Sequence, residues 1–302
     1  MSAAVSGRIS GYLKEIGRGK EGARDLDRAQ AADLMAAVLD GVATDLEVGA
    51  FCIAMRIKGE TAHEMAGFID AAQSRMERLP AGPAPLVVLP SYNGARKLPL
   101  LTPLLGLLLS RQGLPVLIHG HASESTRTTV DEVLRELGIL PLKQIRSVVP
   151  GELAFAPTSM LCPQLARLLD VRRTIGLRNS VHSLVKQMNP SAGPAVLVSS
   201  YTHPEYSTSM AQVIEQLGST ALLLRGTEGE PVADPRRLPS MRVFHRGVLD
   251  LAIEPQTGSL ASMPDLPRTI DAEATAHYTR AVLTGIFMTR PWRGSSACDA
   301  TR

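Results

Sequence analysis

One stretch limits what this chain can fold into more than any other. A short apolar run, Leu86-Val87-Val88-Leu89, leads into Pro90-Ser91-Tyr92-Asn93-Gly94-Ala95-Arg96-Lys97, and Thr102-Pro103-Leu104-Leu105 follows. The run has strand length and no polar residue, so it reads as a buried strand. Thr-Pro ahead of a leucine-rich segment reads as a helix start. A strand, a small-residue loop and a helix bring backbone N–H groups and the positive end of a helix dipole to one point, where α/β proteins hold phosphate. The loop carries one glycine, Gly94, where a tight phosphate cradle usually has two or three.

The rest of the chain fits around that unit. Residues 1–79 read as helical, with Ile9, Tyr12, Leu13 and Ile16 on one face of a first helix. Three capping boxes follow, Asp27-Arg28-Ala29-Gln30, Thr44-Asp45-Leu46-Glu47 and Thr61-Ala62-His63-Glu64, each opening a further helix. A bundle this small needs to pack on its neighbour or on a second copy. Arg78 to Pro85 is a proline-rich linker, placing a boundary between a helical domain, 1–79, and an α/β domain, 80–302. Beyond it, Leu86–Leu89, Pro115–His119, Ala195–Ser199 and Thr220–Leu224 have strand length, and Thr102–Gln112, Thr129–Leu137 and Pro204–Gln216 read as helices. The fold class is therefore α/β: a small N-terminal helical domain plus a larger domain with a largely parallel sheet and ligands at its strands' carboxyl ends.

Composition narrows the function classes. In 302 residues, aromatics make up 4%, too few for a binder that works mainly by stacking bases. Lys+Arg number 32 against 29 Asp+Glu, a formal charge of +3, so any basic patch must be local. Cys52, Cys162 and Cys298 are far apart, with no CxxC pair, as expected of reduced thiols. The N-terminus lacks a signal-peptide core, and the most apolar stretch, Leu98–Leu109, is too short to span a bilayer; a cytoplasmic protein without a membrane partner is expected.

Several clusters are candidate sites. His119-Gly120-His121-Ala122-Ser123-Glu124-Ser125-Thr126-Arg127, rich in hydroxyls and ahead of a helix, suits an anion site and an N-capping loop alike. Its two histidines lack a third metal ligand. Arg178 and His182 lie one turn apart if 172–186 is helical, which suits carboxylate or phosphate recognition and also a solvated face. Glu228 and Glu230 after the Thr220–Leu224 strand suit Mg²⁺, although an extended backbone would point them to opposite sides. Lys14, Arg18, Lys20 and Arg24 make the first turn basic, suited to phosphate-backbone contact.

The order of these parts resembles the anthranilate phosphoribosyltransferase family, in which a small helical domain precedes an α/β domain of nucleoside phosphorylase type. Ala50-Phe51-Cys52-Ile53-Ala54-Met55-Arg56-Ile57-Lys58-Gly59-Glu60-Thr61 is similar to the family's A-F-x-x-A-x-R-x-K-G-E-T, and His119-Gly120 to the core of its K-H-G-N-R-S. The departures fall on the donor site. The family's G-T-G-G-D diphosphate loop is matched by Ser91-Tyr92-Asn93-Gly94-Ala95, its Lys before His-Gly by Ile118, its Asn and Arg after Gly by His121 and Ala122, and its Asp-Glu metal pair by the split Glu228 and Glu230. Removing one charge-assisted hydrogen bond costs on the order of 1.5–3 kcal/mol. A narrower branch fits better: Lys14–Lys20, Ala23–Arg28, Pro90–Lys97, Leu177–His182 and Gly226–Glu230 resemble the YbiB-type proteins, degenerate paralogues of the transferase. That resemblance implies a homodimer, formed through the helical domain, that binds DNA or RNA with little sequence preference.

The leading expectation is thus a nucleic-acid-binding homodimer that contacts phosphates through Lys14, Arg18, Lys20 and Arg24, with Arg96 and Lys97 beside them, and needs no cofactor. The alternative is a glycosyl- or phosphoribosyltransferase. In it Ser91, Asn93, Gly94, Arg96, His119, Ser123 and Thr126 surround a phosphate, Arg178 orients an acceptor, and Mg²⁺ enters at Glu228 and Glu230.

Overall fold

The structure, a computed structural model, describes residues 3–19, 21–122, 126–259 and 264–285. Lys20, Ser123 and Cys298 lie outside the described residues.

Four helices open the chain: α1 (Ala3–Ile16), α2 (Arg28–Leu39), α3 (Asp45–Lys58) and α4 (Ala62–Gln73). All three capping boxes form as the sequence predicts, each side chain accepting from the N3 amide and each Gln or Glu reaching back. Glu64 does more than cap α4. It is fully buried and accepts from the Leu26 amide at 2.9 Å, the Thr61 amide at 2.9 Å and Lys58 Nζ at 2.7 Å, so one side chain ties three segments together.

Among the described residues the sheet has seven strands in the order β3-β2-β1-β4-β5-β6-β7. β1 (Leu86–Ser91), β2 (Val116–Gly120), β3 (Leu153–Pro157), β4 (Ala195–Tyr201) and β5 (Ala221–Arg225) run parallel. β6 (Met241–His245) and β7 (Val248–Ile253) close one edge antiparallel. Helices α5 (Thr102–Arg111), α6 (Val130–Glu136), α7 (Thr158–Leu161), α8 (Pro163–Ile175), α9 (Val181–Leu184), α10 (Glu205–Leu217) and α11 (Ala272–Leu283) complete the domain. The sequence does not announce β3, whose Leu-Ala-Phe-Ala-Pro mixes small residues with a terminal proline, nor β6, which carries Arg242 and His245. The 172–186 helix is also corrected: Gly176, at φ 70°, ends α8, and Arg178 stands on the loop before α9.

From β1 the chain moves to β2 and β3 on one side, then returns to β4 and β5 on the other. The β1–β4 pair is therefore the topological switch point, and the Tyr92–Lys97 loop leaves the sheet there. The helical bundle does not build a core of its own. Leu34, Met35, Phe51 and Phe68 share one hydrophobic cluster with Leu117, Leu165, Leu197 and Ile214, while Leu89, Ile118, Val133 and Leu224 fill the other side of the sheet. Arg28 bridges Asp70 and the Gln216 carbonyl, pinning α4 to α10.

Candidate anion-binding cleft

The Pro90–Lys97 loop, placed by the sheet where a phosphate cradle belongs, is already occupied by the chain itself. Glu230, 1% exposed, accepts from the Asn93 amide at 2.8 Å, the Gly94 amide at 2.9 Å, Thr102 Oγ1 at 3.0 Å and Ser91 Oγ. Thr102 is the first residue of α5, so this carboxylate also sits at a helix's positive end. Glu228 accepts from the next two amides, Arg96 N at 2.5 Å and Lys97 N at 2.8 Å. The Ala95 amide bonds the Thr128 carbonyl at 2.8 Å. Every backbone N–H from Asn93 to Lys97 therefore has an acceptor within the chain.

The turn that delivers the two carboxylates explains how they reach one loop. Glu228 (φ 53°) and Gly229 (φ 81°) both take left-handed conformations, so the segment curls instead of extending, and the expected opposite-facing geometry does not arise. A non-glycine residue there costs about 1 kcal/mol. At Gly229 a Cβ would stand 1.9 Å from Asn93 Nδ2, so only glycine fits. Asn93 Nδ2 holds the Glu228 carbonyl at 2.8 Å, and Lys186 Nζ and Ser200 Oγ both hold the Gly229 carbonyl at 2.9 Å.

Beside this turn lies a cleft of about 520 Å³ between the end of α3, the carboxyl end of β4 and the turn that follows β5. Six cationic side chains line it, Arg56, Arg96, Lys97, Arg127, Arg178 and Lys186, against two carboxylates, Glu60 and Glu228. Arg178 donates to Asn93 Oδ1 at 3.1 Å, Arg127 to the Asn93 carbonyl at 3.3 Å, and Arg56 crosses the cleft to the Arg178 carbonyl at 3.1 Å. Arg96 and Lys97 have exposed side chains. Burial, more than the neighbouring charges, acts on the titratable groups. Burial, with Arg178 and Arg127 nearby, pulls the Lys186 ammonium down to about 8 despite the attraction of Glu230. Burial first, and then Arg178 and Arg172, hold His182 neutral, down to about 3. Burial pushes the Glu60 carboxyl up. The cleft therefore attracts anions through side chains, while the loop amides behind it are spent.

The other sequence candidates fall in different places. His119, expected beside a phosphate, is fully buried: its ring nitrogens lie 2.7 Å from the Tyr92 hydroxyl and 3.1 Å from the Met188 carbonyl, and burial pulls it down to about 3. It is a core histidine that locks Tyr92 and β2, and it does not face the cleft. Tyr92, which fills the space a glycine would leave in a phosphate loop, is 2.8 Å from Thr158 Oγ1 and buried. His121 pairs with Asp170 at 3.0 Å. Thr126 is exposed and outside the cleft lining. Ser91 and Gly94 are buried by the Glu230 contact instead of being offered to a ligand. Lys14, Arg18 and Arg24 do not line the cleft either; Arg18 meets Glu15 at 2.8 Å and Arg24 meets it at 3.7 Å, which offsets part of the basic turn. Sequence reasoning does not single out Arg56, Glu60, Arg127 or Lys186 for a site: Arg56 and Glu60 stand in the Ala50–Thr61 motif and Arg127 ends the His119–Arg127 stretch, but only the fold brings them to the cleft beside Lys186.

A divalent cation does not fit the acidic pair. Glu230 is saturated by four donors and buried away from the cleft, and Glu228 spends one lone pair of each oxygen on the loop amides, so the two carboxylates do not converge on a common cation position. Among the described residues no three His, Cys, Asp or Glu side chains come together as a metal site. No helix among them is long and apolar enough to cross a membrane.

The fold, a helical bundle ahead of an α/β domain, is that of the glycosyl and phosphoribosyl transferases. Residues 10–76 match the helical bundle domain of the glycosyl transferase family. The chain is 41% identical over 280 residues to the uncharacterized protein YbiB of Escherichia coli, covering 90% of this chain and 87% of that one. It is 30% identical over 268 residues to the anthranilate phosphoribosyltransferase of Leifsonia xyli, covering 86% and 76%. It belongs to the anthranilate phosphoribosyltransferase-like family. The crystal structure of that enzyme from Thermus thermophilus superposes with a TM-score of 0.70 at 22% identity, over 94% of this chain and 83% of the enzyme. The Saccharomyces cerevisiae enzyme, solved in complex with PRPP and Mg, gives 0.67 at 15% identity, over 95% and 83%.

Proposed function

We infer that this chain binds phosphate groups on the transferase scaffold through side-chain cations, and that its ligand is a nucleic-acid strand whose backbone crosses the cleft. One observation carries the reading: six cations line the cleft while every amide of the former diphosphate loop is satisfied internally. Side-chain cations suit single phosphates spaced along a polymer, whereas a compact diphosphate needs the amide cradle. Arg96, Lys97, Arg127 and Arg178 carry this reading. Lys14, Arg18, Lys20 and Arg24 extend the footprint. Filter binding of single-stranded DNA, duplex DNA and RNA over a salt series tests it. With about four phosphates neutralised, single strands give a log–log slope of about −3. A flat salt response overturns it.

Lys186 adds a pH signature. An anion settling beside it favours the ammonium and raises its pKa from about 8, so binding takes up protons and affinity falls as pH rises from 7 to 9. Without a ligand, burial lowers the Lys186 pKa most, Glu230 raises it, and Arg178 and Arg127 lower it further. Calorimetry in two buffers of different ionisation enthalpy reads the uptake, and Lys186→Met removes it.

A second reading, transfer of a phosphoribosyl group to an acceptor, is the one the relatives favour: the named homologues of known activity are transferases. It requires Glu228 to leave the loop. Calorimetry with phosphoribosyl diphosphate and Mg²⁺ separates the two readings, because micromolar, metal-dependent heat supports transfer and its absence supports the first.

The homodimer is part of the proposal. Leu46, Ala50, Ile53 and Ile57 form a stripe along α3 at helical spacing, with Leu46 84% and Ile57 56% exposed. Leu13 and Ile16 of α1 join it at a shallow apolar groove. A second copy covering this stripe would put two cleft cation sets on one particle, and a ligand reaching both would gain avidity without new contacts. Leu46→Glu with Ile57→Glu is expected to give a folded monomer in analytical ultracentrifugation, and an unchanged sedimentation coefficient would refute the interface.

A further inference from the structure

The contact between Glu228 and the loop has a geometry that a ligand can copy. The carboxylate presents two oxygens to two successive amides, Arg96 N and Lys97 N, at 2.5 and 2.8 Å. A phosphodiester presents two non-bridging oxygens in the same way. We propose that Glu228 is an internal mimic of a backbone phosphate, and that the Arg96–Lys97 amides are a latent phosphate subsite which a ligand enters by displacing it. This rests on the phosphate-binding reading above and deepens it, because it adds a gated subsite to the cationic cleft.

The two carboxylates divide the labour. Glu230 is buried, takes four donors and belongs to the fold. Glu228 is half-buried, lines the cleft and takes two. Its backbone stays anchored when the side chain leaves, since Asn93 holds its carbonyl and Lys186 and Ser200 hold the next one. The departing carboxylate swings into a cleft lined by Arg96, Lys97 and Arg127, so it keeps cationic partners. The exchange is therefore anion for anion at one pair of donors, with no buried group left bare. As long as Glu228 sits there, the protein holds phosphate only through flexible side chains, and the strongest donors of the loop are withheld.

The test uses the full chain and inorganic phosphate as the probe, with a twelve-residue oligothymidylate as the polymer arm. Glu228→Gly removes the carboxylate and suits a backbone at φ 53°. Glu228→Gln keeps the shape without the charge. Glu60→Gln changes another carboxyl of the same cleft that makes no bond to the loop amides, and so reports the effect of a substitution in the cleft lining that leaves the amides covered. The expected result is phosphate affinity about tenfold higher in Glu228→Gly than in Glu60→Gln, with Glu228→Gln between them, and a parallel gain for the oligonucleotide. In ¹H–¹⁵N spectra the Arg96 and Lys97 amide signals should move upfield in Glu228→Gly and return downfield as phosphate is added. Equal affinities for Glu228→Gly and Glu60→Gln, or Arg96 and Lys97 signals that ignore phosphate, overturn the mimic while leaving the cationic cleft standing. If no variant binds phosphate or oligonucleotide, both readings fall. A gain for phosphate without one for the polymer points to a small phosphomonoester as the displacing ligand and overturns the backbone-phosphate assignment.

Discussion

Replacing Glu230 by alanine is expected to destabilise the fold by about 4 kcal/mol, read as a lower urea midpoint with an unchanged slope. The reason is local and countable. The Asn93 and Gly94 amides and the Ser91 and Thr102 hydroxyls are all deprived of their acceptor at a site that is 1% exposed. An orphaned buried donor costs about 1–3 kcal/mol. The hydroxyls rotate to recover part of this, but the amides, fixed by the loop, do not. Glu230→Gln keeps one carbonyl oxygen and the shape, and is expected to cost about half as much. A change below about 1 kcal/mol for alanine would mean that the loop relaxes to solvent, and the description of a sealed loop would be wrong.

The second large effect concerns binding. Arg96→Glu with Lys97→Glu is expected to weaken single-stranded nucleic-acid binding at least about 100-fold at low salt, and to flatten the log–log salt slope by about 0.7 for each phosphate no longer neutralised. Both side chains are exposed, so the fold carries the change. Charge reversal at Lys14 and Arg18 is expected to do less, because Arg18 is already held by Glu15 at 2.8 Å. If the N-terminal pair proves the more damaging, the main contact runs over α1 and the cleft is secondary.

These expectations show which parts of the molecule are written locally in the chain. The caps at Asp27, Thr44 and Thr61 are readable because each depends on residues three apart. The strands β1, β2, β4 and β5 are readable because burial on both faces makes them apolar runs. The edge pair β6 and β7 is solvated, so charged residues break its pattern. The break before Arg178 turns on Gly176, whose role as a helix stop competes with the basic residues that suggest continuation. The Glu228 and Glu230 contacts with the loop at Asn93 and Arg96 span more than 130 residues of sequence, and no spacing rule links them. The loop itself is legible as a phosphate-loop position. That its donors are consumed is not, because that depends on a distant turn with two left-handed residues. His119 misleads for a related reason: a His-Gly pair at a strand end looks the same in sequence whether the ring faces ligand or core.

The shared core has a kinetic meaning. The walls of the cleft belong to α3 on one side and the sheet's carboxyl ends on the other, yet Phe51 and Leu197 lie in one hydrophobic cluster, and Asn179 Nδ2 reaches Cys52 Sγ at 3.5 Å across the join. A hinge opening between these parts would expose that cluster to water, at a cost comparable to unfolding a large share of the protein. The slot is therefore preformed: a ligand entering it would lose little to reorganising the protein, and the cations lining it would steer an incoming anion.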